Sequence, residues 1–301
     1  MSTVVALKTG ALRGQAPAAP AAIVAAAPTA EKAGSGGTAA ARGEALRDFL
    51  RAAIPPLFGF GLLLGIWALV AMKNASIPSP GLTWDAAVKL FADPFYSNGP
   101  NDQGIGWNVL ASLARVGIGF GVAAAIGIPL GFIIGRFSFM NRMLDPIISL
   151  LRPVSPLAWL PIGLLVFKRA DPAATWTIFI CSIWPMILNT AEGVRRVPQD
   201  YLNVARVLGL PETKVITRIL FPAVLPYMLT GIRLSIGTAW LVIVAAEMLT
   251  GGVGIGFWVW DEWNNLKVEH IVIAIFVIGI VGLALEQMLL FLARRFSYES
   301  R

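Results

Sequence analysis

One cysteine and one histidine stand in a chain of 301 residues. Cys181 has no second cysteine for an internal disulfide, for a Cys-based metal site or for a lipoprotein anchor beside it. With His270 alone there is no histidine cluster, and no Ser/His/Asp constellation accompanies it, so no catalytic residue, no metal and no cofactor is expected. Both residues are read as packing residues. Charge is equally scarce. Only 14% of the residues are charged, against about 25% in an ordinary soluble domain. No Gly-x-x-x-x-Gly-Lys-Ser/Thr phosphate loop occurs, so the chain does not bind ATP by that route.

What fills the space is apolar. The hydrophobic share is 56% and the mean hydropathy +0.72, which make lipid the main solvent. The net charge of +7 does not form a basic stripe; the cations sit between apolar runs, as in loops of a membrane protein, and no nucleic-acid partner is expected. Residues 1–50 are rich in Ala, Gly and Pro, with Pro17, Pro20 and Pro28 breaking every apolar stretch. Such a tail has no continuous apolar core for a cleavable signal and buries too little to offset its ordering entropy, so a disordered tail is expected.

Six apolar segments follow, at 53–72, 107–135, 143–167, 172–189, 223–250 and 268–293, each long enough to span as a helix. The second has 29 residues and reaches about 43 Å, longer than the hydrocarbon core, so it must tilt or protrude. Orientation follows from the loop cations. With the N-terminus inside, thirteen Lys and Arg fall on inner segments, among them Arg136, Arg142, Arg195, Arg196 and Arg206, against five outside: Lys73, Lys89, Lys168, Arg169 and Lys267. Both termini are therefore expected in the cytoplasm, the second being a short tail at 294–301. The outer loop 73–106 carries turn signals at Pro78, Pro80, Asp93-Pro94 and Asn98-Gly99-Pro100. The glycine-broken run Gly251 to Trp260 predicts a short interfacial or re-entrant piece with aromatic anchors.

The inner loop 191–221 is long enough to hold structure. Pro198 suits a first helical turn, Tyr201, Val204, Ala205 and Leu208 recur at i, i+3, i+4 and i+7, Gly209 suits the end, and Pro211 stops continuation. The polar face mixes Gln199, Asp200, Asn203 and Arg206 rather than the Lys/Arg-rich face of a lipid-lying helix, which favours a partner protein.

Asn203-Val204-Ala205, then Gly209 after three residues, then Ile219-Leu220-Phe221-Pro222 after nine more, resembles the cytoplasmic signature of binding-protein-dependent ABC permeases: Glu-Ala-Ala, three residues, Gly, nine residues, Ile-x-Leu-Pro. Gly209, Ile219 and Pro222 keep the spacing; Asn203, Val204 and Phe221 depart from it, and Asn203 removes a salt bridge from the first position. The resemblance covers residues 105–293. Asp93-Pro94-Phe95, Leu144-Asp145-Pro146-Ile147, Pro156-Leu157-Ala158-Trp159-Leu160-Pro161, Ile183-Trp184-Pro185 and Ala245-Ala246-Glu247-Met248-Leu249 resemble the nitrate/bicarbonate branch, nitrate permeases most of all; sulfonate, taurine and cyanate permeases share the signature loop.

The resemblance implies an all-α integral membrane protein with six transmembrane helices and the type I ABC importer permease fold, in a bacterial inner membrane. It implies a permease core at 105–293, a periplasmic loop at 73–106 and a coupling loop at 191–221 whose helix docks on cytoplasmic ABC ATPase subunits. It also implies a periplasmic or lipid-anchored substrate-binding protein. A path walled by one copy's six spans leaves little room, and one chain offers one docking helix, so a homodimer of twelve spans with two ATPases docked at Pro198 to Gly209 is expected.

Ionisable residues inside the spans are Arg115, Arg152, Arg233, Glu247 and Glu286. Such residues are costly and face a partner or a cavity, unless they snorkel to the interface. Arg152 precedes Pro153, Pro156 and Pro161, which predict a break in the third span near the midplane; a broken helix offers N–H groups and a positive dipole end to an anion. Arg152, Pro156, Trp159 and Glu247 are the candidate path residues. Gly119-Phe120-Gly121 with Ala124 mimics a dinucleotide fingerprint but follows no strand; Gly117 and Gly121, or Gly127, Gly131 and Gly135, read instead as small faces for close helix packing. An ion-driven secondary transporter needs midplane carboxylates and repeated halves, and no repeat is present.

Overall fold

The computed structural model describes residues 37–100 and 102–296. The chain divides into two compact units, Met1–Gly61 and Leu62–Arg301. The expected disorder of residues 1–36 and the final tail at 297–301 lie outside the described residues. Residues 37–50 differ from expectation. Helix α1 runs over Gly37–Lys73, because Ala39, Ala40, Ala41, Ala45 and Leu46 are strong helix formers and the first proline pair comes only at Pro55 and Pro56. Within the second unit its Leu62, Leu63, Leu64, Ile66, Leu69, Val70 and Met72 are exposed, the signature of a helix solvated by lipid, while the Trp67 indole donates to Pro78 O at 3.0 Å.

All regular elements among the described residues are helical. After α1 come α2 (Pro80–Ala92), α3 (Ile105–Arg136), α4 (Ser138–Leu151), α5 (Pro156–Phe167) and α6 (Ala170–Arg195). Then follow α7 (Gln199–Val207), α8 (Glu212–Val215), a π-turn at Ile216–Leu220, α9 (Phe221–Thr250), α10 (Ile255–Asn264) and α11 (Val268–Phe296). Five stretches are long and apolar enough to cross on their own: Ala53–Lys73, Ile105–Arg136, Ala170–Arg195, Glu212–Thr250 and Val268–Ala293. A sixth exists if α4 and α5 count as one span, bent by 97° at its break. The break expected in the third span is present and divides it into two helices. Neither reaches the thickness of a bilayer core alone, since twelve residues of α5 extend only about 18 Å.

Loop 73–106 also holds more structure than its turn signals suggest. The Ser79 hydroxyl caps α2 by accepting from Leu82 N at 3.4 Å, and Pro80 occupies the first turn. After it, Ser97 and Gln103 form an isolated antiparallel bridge, and the Trp107 indole donates to Phe95 O at 2.7 Å.

The core forms where α3, α6 and α9 pack. Cβ atoms placed on Gly127, Gly131 and Gly135 would lie 3.1, 2.7 and 2.6 Å from Ile183, Thr190 and Val194, so this stripe is occupied by α6. The glycines let the backbones approach as a small-residue face allows. Gly117 and Gly121 have nothing within 4 Å of such a Cβ. Nearer the loop 191–221, Phe132, Val194, Val197, Leu202, Ala205, Val215, Leu220, Val224 and Met228 make a second cluster that mounts α7 on the ends of α3, α6 and α9.

Candidate functional site: coupling helix, helix break and buried polar clamp

Helix α7 begins one residue later than its sequence suggests, with Pro198 at the N-cap in extended backbone and Gln199 first in the helix. At its end Gly209 takes φ +61, its N–H donates to Arg206 O at 3.0 Å, and Leu210 N–H reaches back to Ala205 O at 3.0 Å. Those two bonds are a Schellman closure, which favours glycine at the left-handed position. The expected apolar stripe divides in two. Ala205 turns inward with Leu202, whereas Tyr201, Val204 and Leu208 are 58, 57 and 67% exposed, and Val207 reaches 87%. Ala205 lies at the edge between faces, and Leu202 fixes which side is buried. Asn203 is exposed, its side-chain oxygen accepting from Arg206 Nη1 at 3.3 Å. The helix therefore stands on an apolar foot and presents a second apolar face outward.

The second half of loop 191–221 extends α9 rather than forming a loop. Ile219 lies in the π-turn and Pro222 in the first turn of α9. Proline has no N–H and its ring crowds the carbonyl four residues back, and one wider turn accommodates both effects. The spacing from Gly209 to Pro222 thus fixes how far α7 sits from the spanning part of α9. Arg136 Nε binds Glu212 Oε1 at 2.6 Å across the same junction.

Arg152 is the C-cap of α4, at the start of the break. With Pro156, Cys181, Trp184, Pro185 and Thr238 it lines an apolar cavity of about 280 Å³. Its guanidinium has no carboxylate partner and no side-chain hydrogen bond among the described residues, unlike Arg115, Arg136, Arg196 and Arg233. Cys181 is buried there, its thiol 3.1 Å from Ile178 O. Trp159, farther along α5, has an indole N–H that is buried with no partner among the described residues.

Glu247 does not share that cavity. It is 1% exposed and closes a polar clamp at the start of α10. Ser112 Oγ lies 2.9 and 2.8 Å from its two oxygens, Arg115 Nη1 donates at 2.6 Å, and Gly256 N–H donates at 3.0 Å. Asn108 Oδ1 accepts from Gly254 N–H at 2.8 Å and Ser112 Oγ from Ile255 N–H at 2.9 Å. Three N–H groups at the opening of α10, which a helix cannot satisfy internally, are met by side chains of α3 and α9. Arg115 passes the chain of contacts on to Asp171 at 2.6 Å. Asn108 and Ser112 went unrecognised in the sequence; their one signal is a polar pair at i, i+4 on an otherwise apolar span. His270 packs as expected, stacked on Trp258 at 5.8 Å between ring centroids, with Nδ1 3.0 Å from Glu262 Oε2.

The comparisons agree with this geometry. The family described as "Binding-protein-dependent transport system inner membrane component" matches residues 127–298, more than half of the chain. The chain belongs to this family. The nitrate import permease protein NrtB of Synechocystis is 47% identical over 79% of this chain and 87% of its own. The bicarbonate transport system permease protein CmpB of the same organism is 43% identical over 80% of this chain and 88% of its own. The NrtB of Synechococcus elongatus is 41% identical over 84% of this chain and 92% of its own. This permease is a multi-pass, all-helical membrane protein of the ABC importer class, and its role is transport.

Proposed function

We propose that the permease forms the translocation path of an ATP-driven importer for a small planar monovalent anion, nitrate first. Identity by itself leaves two oxyanions: a bicarbonate permease at 43% falls between two nitrate permeases at 47 and 41%. Nitrate and bicarbonate share charge and trigonal shape, so bicarbonate is the second reading. The observation that carries the anion assignment is Arg152, a cation without a carboxylate partner among the described residues, lining an apolar cavity at the helix break. Arg152 is itself exposed, so an anion or water can reach its guanidinium and complete it. Pro156 and Trp159 follow on α5 and are proposed as further path residues. Glu247, held by Ser112, Arg115 and Gly256, is proposed to act on the path indirectly by fixing α10.

Energy enters from elsewhere. Pro198, Tyr201, Asn203, Val204, Ala205, Leu208, Gly209, Ile219 and Pro222 are proposed as the coupling element for a cytoplasmic ABC ATPase. The outward Tyr201, Val204 and Leu208 provide the docking face, and buried Leu202 and Ala205 pass motion to the spanning helices. A periplasmic or lipid-anchored binding protein delivers the anion from the other side. Two copies of the permease, with both termini cytoplasmic in the bacterial inner membrane, complete the path. No cofactor is assigned to this chain. The test is uptake into proteoliposomes holding the assembled transporter, with labelled nitrate or bicarbonate, with and without ATP and with ion gradients collapsed. ATP-dependent nitrate uptake is expected; uptake that follows an ion gradient instead would sink the reading.

A further inference from the structure

The outward face of α9 departs from what hydrocarbon tolerates. Thr230, Arg233, Leu234, Gly237, Thr238 and Leu241 are exposed, three or four residues apart and so on one side of the helix. On α1, by contrast, the exposed side chains between Leu62 and Met72 are all apolar. Within the polar face Arg233 pairs with Glu286 of α11, and the two side chains are 50 and 41% exposed. A half-exposed ion pair inside two spans belongs beside water or protein rather than lipid tails. A Cβ on Gly237 would meet nothing within 4 Å, so no packing among the described residues explains that glycine.

Three cavities adjoin this face, one of them at Thr230, Arg233 and Leu289. The one at Arg152 and a larger one of about 630 Å³ between α9 and α11, which includes Arg233 and Glu286, share Thr238 and Leu241. The Arg152 cavity touches α9 at Thr238, Leu241 and Val242. Arg233 lies eight residues before Leu241, about 12 Å nearer the coupling end of the helix. Arg233 thus stands at a level between the Arg152 cavity and the coupling end, and Thr238 and Leu241 border the cavities at both arginines.

The donors along the face narrow the chemistry. Thr230 Oγ1 donates to Pro226 O at 2.9 Å, and Thr238 Oγ1 lies 3.1 and 2.9 Å from Leu234 O and Ser235 O. Their hydroxyl hydrogens are committed to the backbone. Arg233 Nε donates to Glu286 Oε1 at 2.9 Å, and Nη2 donates to the same oxygen. A guanidinium carries five N–H groups, so donors remain for a second acceptor. One carboxylate oxygen takes both bonds, rather than the two-oxygen fork of the strongest Arg–carboxylate pairs.

We propose that Arg233 is a second anion station on the path, held by Glu286 between transits and released to the passing monovalent anion. The inference rests on the reading of the chain as an anion permease. The exchange replaces one anion by another on the same guanidinium, and the Glu286 carboxylate, whose side chain is 41% exposed, is left to water while the station is occupied. The rival is a static brace between α9 and α11.

The test measures ATP-driven nitrate and bicarbonate uptake in proteoliposomes for the wild type and for Arg233→Gln, Arg233→Lys, Glu286→Gln and the double variant Arg233→Gln/Glu286→Gln, each verified as assembled by mass. Glu286→Gln should lower KM and lower kcat together, because the anion no longer has to displace a carboxylate and leaves more slowly. Arg233→Gln should raise KM by about tenfold or more, as loss of one charged hydrogen-bonding group predicts. Arg233→Lys should fall between it and the wild type. The double variant should remain impaired. A double variant with wild-type KM and kcat overturns the station and leaves a brace. A wild type that moves neither anion while assembled and hydrolysing ATP overturns the anion-permease reading and this inference with it. Nitrate or bicarbonate uptake by the wild type with unaltered Arg233→Gln overturns this inference alone.

Discussion

Arg115 Nη1 meets Glu247 Oε1 at 2.6 Å, with the carboxylate side chain 2% exposed and the guanidinium side chain 14%. Burial of both partners makes this pair different from Arg115 with Asp171, whose side chain is 62% exposed. A buried pair broken on one side leaves an uncompensated charge, whereas an exposed pair is screened by water. Glu247 also satisfies the Gly256 N–H, so its removal strips a helix terminus as well.

Glu247→Ala is therefore expected to destabilise the permease by about 3–5 kcal/mol. Asp171→Asn should cost only about 0–1 kcal/mol. Thermal unfolding of the two variants in detergent, followed by tryptophan fluorescence, ranks them directly. Equal melting temperatures would contradict the clamp.

The α3–α6 seam gives a second contrast. Gly131→Val should be strongly disruptive, because even a Cβ there would lie 2.7 Å from the Thr190 Cβ and 2.8 Å from the Ile187 carbonyl oxygen. Overpacking of this kind typically costs about 1–3 kcal/mol. Gly117→Ala, where nothing lies within 4 Å, should leave the monomer's stability unchanged or raise it slightly. Recovery of monodisperse protein from membranes is the measurement.

How far these features were legible from sequence depends on whether the signal is local. The end of α7 was, because Gly209 and Pro211 are positional signals, and the short α10 was, because its glycine run cannot make a full span. The split of α7's apolar stripe was not. Periodicity identifies Tyr201, Val204, Ala205 and Leu208 as neighbours on a helix, but only the tertiary contacts of Leu202 and Ala205 decide which flank is buried. The 97° break between α4 and α5 was signalled by Pro153 and Pro156 as a break, without its angle. Glu247 read as an ionisable residue inside a span and a candidate path residue. Its side-chain partners Ser112 and Arg115 lie far away in sequence, so no local pattern assigns it to a clamp.

At the coupling helix, Gly209→Val should abolish uptake while the protein still inserts. A β-branched residue at φ +61 costs at least the roughly 1–2 kcal/mol of a left-handed L-residue and disturbs the Schellman closure. Tyr201→Ser should weaken ATPase co-purification without altering the melting temperature, because Tyr201 is 58% exposed and absent from the cluster that mounts the helix. Leu202→Ser should do the reverse, lowering the melting temperature through the buried foot. Pull-down of the ATPase and thermal unfolding, measured on both variants, separate the two faces.

Arg152→Ala should slow nitrate uptake about tenfold, on the scale of one lost charged hydrogen bond, without changing assembly. Arg152→Lys should retain part of the rate, since a point charge replaces a planar fork. Initial rates in intact cells, normalised to membrane protein, decide it; a normal rate for Arg152→Ala would mean that the guanidinium snorkels to the interface instead.

The number of copies follows from faces left open. Of the two small-residue faces of α3, Gly127, Gly131 and Gly135 are filled by α6 of the same chain, whereas Gly117 and Gly121 stay open for a second copy. Also open are the outward face of α9, whose half-exposed Arg233–Glu286 pair does not suit lipid, and the cavity at Arg152. Two such faces opposed across a two-fold axis would enclose water and bring an Arg152 and an Arg233 from each copy to one channel. Each copy also supplies one α7, which matches two ATPase subunits. Mass measurement of the detergent-solubilised complex should give two copies of this chain, and a cysteine introduced at the exposed Gly237 should cross-link between copies. One copy per complex, or pairing with a permease of different sequence, would refute the homodimer.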